Sequence, residues 1–401
     1  MDSPTGGALA GLRVLDVTQV MAGPFCTMIL ADLGADVVKI EPPRGDMTRR
    51  MPGAVGTDTP AFNAVNRGKR SVILDLKTTA GHDALVQLVP SADIFVENSR
   101  PGAMAALGLD YATLAALNPR IIYASISGYG LTGPDRAKGG LDLIAQAVSG
   151  IMSVTGAPDG PPTKAGVPLT DLGAALFVLT GVLAALEYRH RTGVGQHVDA
   201  SLVDAGVALS VWEATEYFAG AGVPAPLGSA HRMVAPYQAF RCSDGAVTIG
   251  ASNDILFRRL CEVLGHPEWA GIADYADNAS RVRHRAELAE RIESVTRQRP
   301  RSHWLAALEA SDIPSGPINN YAEALADPQI LARDMVVTVD HPTLGTMRTL
   351  GSPIKLSATP ADVRRRAPHL GEHTEDVLRE AGLDEAHVAA LATPQRSRGP
   401  S

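Results

Sequence analysis

The stretch RVLDVTQVMAGPFCTMILADLGADVVKIE, residues 13–41, places two short apolar runs, Arg13 to Val17 and Asp36 to Ile40, on either side of an apolar helix candidate. Pro24 falls in the first turn of that helix, where a missing N–H costs nothing, and Gly34 ends it. A strand that returns in the same direction needs a helical crossover, so this opening predicts parallel strands. The rhythm continues with strand Ser71 to Asp75, a helix after Thr79 and strand Asp93 to Val96. Helix Tyr111 to Leu117, capped by Asp110, and strand Ile121 to Ser127 follow. The expected class is α/β, with a Rossmann-like doubly wound parallel sheet in a large domain.

The pattern breaks at AGAGVPAPLGSAHRMVAP, residues 219–236, whose glycines and prolines read as a linker. Residues 237–329 read as a small α+β domain with its return linker. It opens with a strand pair turning at Asp244-Gly245, and amphipathic helices follow near Leu256 to Leu264, Arg281 to Arg297 and Ser302 to Ser311. Strands reappear from Met335, helices follow His373 and Asp384, and the tail TPQRSRGPS has a disordered composition.

A chain of 401 residues with 45% hydrophobic side chains can bury a large core. Its 4% aromatic content and net charge of −7 argue against a nucleic-acid partner. Three widely spaced cysteines, Cys26, Cys242 and Cys261, offer neither a disulfide framework nor a metal motif, which suits a reducing cytoplasm. The N-terminus lacks the pattern of a signal peptide, and no uncharged apolar run reaches the ~20 residues of a membrane span. A cytoplasmic protein without a membrane partner is therefore expected.

One segment departs from this acidic balance. From Lys39 to Lys77 there are eight Lys or Arg against four acids, which reads either as a solvated basic face or as a site for a polyphosphate. The G-x-G-x-x-G string at Gly128, Gly130 and Gly133 is followed by Pro134-Asp135-Arg136 rather than a helix, so it lacks the context of a dinucleotide turn. No G-x-S-x-G elbow, H-E-x-x-H or Walker lysine motif occurs. Cys26, among apolar residues, reads as core, and the eleven histidines are scattered.

The segment KAGVPLTDLGAALFVLTGVLAAL, residues 164–186, has fifteen uncharged residues after Asp171 and predicts a helix buried on all sides. Asp171 stands at or beside its N-terminus, as a helix cap would. Helix-end N–H groups would keep that carboxylate ionised even when shielded from water, as acyl transfer through an anhydride requires. Gly166 and Gly173 are expected to let a bulky thioester approach the backbone.

Taken over nearly its whole length, the chain resembles the class III CoA-transferases and the related 2-methylacyl-CoA racemases. The likeness is carried by residues 13–41, GDMTR at Gly45 to Arg49, NRGKRSVILDLK at Asn66 to Lys77, VENSRPGAM at Val96 to Met104 and NPRIIYASISGYGLTGP. GLDLIAQAVSG at Gly140 to Gly150, the Asp171 segment, TGVGQHVDASL at Thr192 to Leu202 and LGEHTEDVL near the C-terminus complete it. The resemblance implies that Asp171 is the nucleophile. It implies CoA contacts at Gln19, Val20, Ala22, Arg49, Leu74, Lys77, Asn98, Arg100, Leu141 and Asp142. It further implies interlocked homodimers, whose large domain is built from residues 1–218 with 330–401. Acyl-CoA and a small carboxylic acid are the implied substrates, with no prosthetic group and no metal.

Racemases of this kind carry a histidine where this chain has Leu141, so racemisation lacks one of its acid/base groups. Formyl-CoA transferase has a tyrosine there and a glycine run in its small domain; this chain has neither, which disfavours oxalate and formate. Ser99 replaces an aromatic expected against adenine. His231 and Arg232 are candidates for a second carboxylate of a dicarboxylic substrate, with ordinary surface placement as the alternative. The expected function is transfer of CoA through an aspartyl-CoA thioester and mixed anhydrides; a racemase or a catalytically silent CoA-binding protein are the alternatives.

Overall fold

The computed structural model describes residues 6–53, 59–361, 363 and 365–392, and the tail TPQRSRGPS lies outside them. Six parallel strands form one sheet: β1 (Arg13–Asp16), β2 (Asp36–Glu41), β3 (Arg70–Ile73), β4 (Ile94–Glu97), β5 (Ile122–Ser127) and β6 (His197–Ser201). Their spatial order is β3-β2-β1-β4-β5-β6. The chain builds outward from β1 to β3, then returns beside β1 and builds the other way. The strand order therefore reverses between β1 and β4, and the carboxyl ends of those two strands form the switch point where sheets of this class hold their ligand crevice. The β-α-β opening of residues 13–41 is present as expected, through α1 (Ala22–Asp32). Strand β6 was not anticipated, because HVDAS is short and carries no apolar run.

Helices cover both faces of the sheet, so its inner strands are buried on both sides: all four residues of β4 and all six of β5 are buried. Val14, Val37, Ile94, Val96 and Ile122 pack with Cys26 and Leu30 of α1 and with Ala174 to Leu186 of the long helix α3 (Leu169–Thr192), which follows α2 (Asp142–Val148). On the opposite face Leu15, Val38, Phe95 and Tyr123 meet Leu85, Leu88, Leu114, Val377 and Leu378. The C-terminal segment completes this face. The Thr374 hydroxyl accepts from Ile73 N–H at 3.1 Å, and Glu380 joins Arg13 and Arg70 in ion pairs of 2.6 and 2.8 Å.

The chain divides into two compact units. The first comprises residues up to Ile151, Ala165–Ala219 and Pro328 onward; the second comprises Met152–Lys164 and Gly220–Asp327. Residues 152–164, expected in the large domain, thus group with the second unit. In that unit β7 (Tyr237–Cys242), β8 (Gly245–Gly250) and β9 (Ser315–Pro317) form an antiparallel sheet whose first turn is at Asp244-Gly245. The helix expected from Arg281 to Arg297 is two helices, Asn278–Arg283 and Arg285–Thr296, broken at His284. In the first unit an antiparallel hairpin, β10 (Val336–His341) with β11 (Gly345–Leu350), supplies the strands expected after Met335.

Helix α3 differs from expectation. Its 24 residues are long and apolar enough to cross a membrane, yet half of the most apolar stretch is buried against the protein. Leu176, Phe177, Leu183 and Tyr188 form an exposed stripe at helical spacing, so the helix is covered on one face rather than all round. Exposed apolar residues continue onto Val207 and Leu209 of α4 (Leu202–Leu209) and Val211, Trp212 and Phe218 of α5 (Val211–Phe218).

Candidate active site

Half of the eight cations in the basic run from Lys39 to Lys77 are internal rather than part of a solvated face. Lys39, Arg49, Arg67 and Lys69 are each no more than 5% exposed, and each meets a carboxylate: Asp46 at 2.9, Glu41 at 2.7, Asp32 at 2.6 and Asp16 at 2.9 Å. The balance of charge is therefore local and internal. Burial pulls the Lys69 ammonium down to about 8 against the opposing pull of Asp16. Burial would raise the Asp16 carboxyl, but Lys69 and Lys39 beside it hold it well below the carboxylate range. Removing one partner of such a pair strands a charge in the interior, at about 3–5 kcal/mol.

Arg49 was expected to meet CoA, and the structure assigns it elsewhere. Its guanidinium binds both oxygens of Glu41 at 2.7 Å, donates to the Pro368 carbonyl at 3.0 Å and lies 3.5 Å over the Phe62 ring. Two-point recognition of a carboxylate and stacking on an aromatic face together use the geometry that would bind a phosphate. Leu74 is likewise 1% exposed, its side chain in the core beneath the end of β3, leaving only its backbone for a ligand. Arg44, Arg50 and Lys77 are the exposed cations of this run.

Gln19, Val20 and Ala22 follow β1, and Asn98 and Arg100 follow β4, so they flank the crevice that the strand order opens. The two connections are clamped together: Gln19 N–H donates to Asn98 Oδ1 at 2.9 Å, and Asn98 Nδ2 donates to the Gln19 carbonyl at 2.8 Å. Val20 has φ of +71°, a conformation that costs a β-branched residue about 1–3 kcal/mol. Ala22 begins α1 and is buried. Glu97, buried at the end of β4, accepts from Ser99 N–H at 2.7 Å; burial raises its pKa against the hydrogen bonds of Ser125 and Ser99. Cys26 is fully buried in the core, and burial pushes its thiol up to about 12, which agrees with a packing role.

A second group lies around the start of α3. The Asp142 carboxylate accepts from Thr170 N–H at 2.9 Å and from Thr170 Oγ1 at 2.8 Å, and its other oxygen accepts from Gln146 Nε2 at 2.8 Å. Gln146 is fully buried and accepts from Ala165 N–H at 2.8 Å. Asp142 and Gln146 thus fix the approach to α3 and the residue before Asp171. Neither Gln146 nor Thr170 carried a signal of this role in the sequence. Leu141 caps α2 with its side chain 71% exposed.

Asp171 is the third residue of α3 rather than its cap; Pro168 holds the cap position without a side-chain acceptor, and it is Asp142, from α2, that satisfies the Thr170 N–H of the first turn. The half-buried Asp171 carboxylate accepts no hydrogen bond from the described residues. Its pKa is raised to about 6, by burial first and by the Asp142 charge second. The shift runs opposite to the one expected of a helix end, which favours the charged form. At neutral pH the group is still mostly ionised, but it is poorly solvated and more basic than a free carboxylate, and both properties favour nucleophilic attack.

The crevice and the Asp171 group are linked through glycines. The Arg100 guanidinium lies 3.7–3.9 Å from where a methyl on Gly139 would stand. Gly140 crosses Gly128 so closely that a methyl on either would come within 2.5 Å of the other's backbone. Gly128 is therefore required by a backbone crossing after β5, not by a pyrophosphate. Gly173 is also a packing residue: a methyl there would meet Leu209 of α4 at 2.9 Å, whereas Gly166 faces open space. His231 and Arg232 lie in the second unit, where His231 packs edge-on to Tyr237 and Arg232 donates to the Ala225 carbonyl at 3.0 Å. Among the described residues no group of His, Cys, Asp and Glu is arranged to hold a metal ion.

A doubly wound α/β sheet whose strand order reverses between β1 and β4, together with a carboxylate free of hydrogen bonds on an apolar helix, is an arrangement suited to covalent group transfer. The family model of CoA-transferase family III matches residues 9–374, and the chain belongs to that family. It is 39% identical to the succinyl-CoA:glutarate CoA-transferase of Homo sapiens over 93% of this chain and 85% of that protein. It is 40% identical to the acetyl-CoA:oxalate CoA-transferase of Acetobacter aceti, over 95% and 97% of the two chains. A CAIB/BAIF family protein from Brucella suis has a crystal structure that superposes with a TM-score of 0.84 at 38% identity, covering 94% and 100% of the chains. The chain is an enzyme that transfers CoA from an acyl-CoA to a carboxylic acid.

Proposed function

We propose that Asp171 carries the CoA between two dicarboxylic acids. A carboxylate oxygen of Asp171 attacks the thioester carbonyl of the donor; the tetrahedral adduct expels CoA thiolate and leaves an acyl-aspartyl anhydride. The thiolate attacks the aspartyl carbonyl, releasing the donor acid and forming an aspartyl-CoA thioester. The acceptor carboxylate attacks that thioester, and the thiolate it displaces then attacks the acyl carbonyl of the second anhydride. New acyl-CoA leaves, and the Asp171 carboxylate is restored. Each step exchanges one leaving group for one nucleophile, so no oxidant or net proton is consumed.

The observation that carries this reading is the raised, hydrogen-bond-free carboxylate of Asp171 on a helix start fixed by Asp142 and Gln146. The Gln19–Asn98 clamp and the exposed Arg100 beside the crevice, with the exposed Lys77 beyond the end of β3, support binding of the nucleotide end of CoA. A dicarboxylic donor and acceptor are supported by the human relative, named for succinyl-CoA and glutarate, and a dicarboxylic acceptor also by the Acetobacter relative, named for acetyl-CoA and oxalate. Oxalate, disfavoured by Leu141 and by the lack of a glycine run in the small domain, returns as a candidate acceptor on that relative's name. The apolar stripe of α3 continued on α4 and α5 supports a homodimer, since an exposed apolar face of this extent marks an interaction surface.

The test is a screen of succinyl- and acetyl-CoA against mono- and dicarboxylic acids, with Asp171→Asn beside the parent. Transfer to dicarboxylic acids that disappears in the Asn variant supports the reading. Substantial transfer by a folded Asn variant refutes the covalent role, and exclusive use of monocarboxylic acids refutes the substrate class.

A further inference from the structure

Between β1 and α1 the backbone is irregular, and its polar groups are held from three directions. The Thr18 carbonyl accepts from Lys39 Nζ at 2.9 Å, Gln19 is clamped at both N–H and C=O by Asn98, and Val20 N–H faces both oxygens of Asp46 at 3.3 Å. Asp46 is itself fixed: fully buried, it pairs with Lys39 at 2.9 Å and accepts from Thr48 N–H at 2.9 Å and Thr48 Oγ1 at 2.8 Å. Val20 has no local reason to adopt φ of +71°, since a branched Cβ disfavours that region. Strain of this kind persists only where the surroundings impose it.

We infer that Asp46 is a positioning residue for CoA binding, its buried carboxylate holding the Val20 backbone in the left-handed conformation that shapes the β1–α1 connection along the crevice. This rests on the reading of that connection as part of the CoA site. Asp46 would touch no substrate. It acts through a strained neighbour, and glycine, which takes positive φ freely, makes the restraint unnecessary.

The experiment measures CoA affinity and steady-state constants in four full-length proteins: parent, Asp46→Asn, Val20→Gly and the double variant. Asp46→Asn is expected to raise the KM for acyl-CoA about tenfold, in the range that backbone strain of this kind is worth. The kcat and the KM for the acid stay within about twofold, and Val20→Gly added to Asp46→Asn recovers about threefold or more, a coupling that independent sites do not show. Asp46→Glu keeps the charge opposite Lys39 but displaces the acceptor, so it repeats the measurement should the Asn variant fail to fold. Losses in the double variant that simply multiply, or an unchanged KM for acyl-CoA, overturn the role of Asp46. Asn98→Ala separates the two layers: if it weakens CoA binding while the Asp46 variants do not, only the positioning role falls; if neither matters, the connection is not a CoA site.

Discussion

Asp171→Asn should make the protein more stable while abolishing its activity. The carboxyl has a pKa of 3.8 when free and about 6 in the fold, raised by burial and then by Asp142. A raised acid binds its proton more tightly when folded, so its ionisation opposes folding: the cost is absent below pH 3.8, grows as pH rises, and is complete above about pH 6. At ~1.36 kcal/mol per unit the full shift corresponds to roughly 3 kcal/mol, and partial exposure of the group reduces this to about 1–3 kcal/mol. Asparagine has the same shape and no charge to desolvate. Urea unfolding of both proteins at pH 7 and pH 4, at one protein concentration, should show the variant ahead by about 1–3 kcal/mol at pH 7 and by less than ~1 kcal/mol at pH 4. A variant that is equal or less stable at pH 7, or a gain independent of pH, would refute the desolvated nucleophile.

The same pKa sets an acid limb near pH 6 in kcat/KM with acyl-CoA, falling tenfold per pH unit below it, and Asp142→Asn should move that limb to lower pH by removing the second cause of the shift. Gly128→Ala drives a methyl into the Gly140 backbone and should cost about 2–3 kcal/mol in thermal unfolding, with a fall in kcat as the connection to Asp142 shifts. Lys77→Ala should raise the KM for acyl-CoA about two- to tenfold, an effect that shrinks in high salt, whereas Arg49→Met should destabilise by about 3–5 kcal/mol because Glu41 loses its buried partner. Phe218→Asp, on the exposed apolar face, should shift sedimentation from dimer to monomer.

The parallel sheet was legible from residues 13–41 because period and punctuation agreed there: a strand, Pro24 in a first turn, a stop at Gly34 and a second strand. The third dimension was not. Lys39, Arg49, Arg67 and Lys69 read as a surface run because their partners include Asp16 and Asp32 from outside that run, and only folding brings those charges together. The apolar stretch after Asp171 read as wholly buried because composition cannot distinguish a face covered by the chain's own core from one left exposed. Asp171 was singled out by its place before that stretch and by resemblance, but the direction of its pKa shift was not legible. A cap would have satisfied the carboxylate; in the first turn, beside Asp142 and without hydrogen bonds, it is held in a more basic state. Asp46 and Gln146 escaped notice because each acts on backbone N–H groups distant in sequence, which no local pattern records.

The central claim is that CoA passes through a covalent bond to Asp171, and mass analysis of the protein mixed with succinyl-CoA, without an acceptor acid and quenched in acid, tests it most directly. The account predicts a CoA adduct confined to the peptide that carries Asp171, cleaved by hydroxylamine to free CoA with a hydroxamate left on Asp171, and absent from Asp171→Asn. Rapid transfer to an added acid with no adduct on that peptide, or an adduct that persists in the Asn variant, would contradict it.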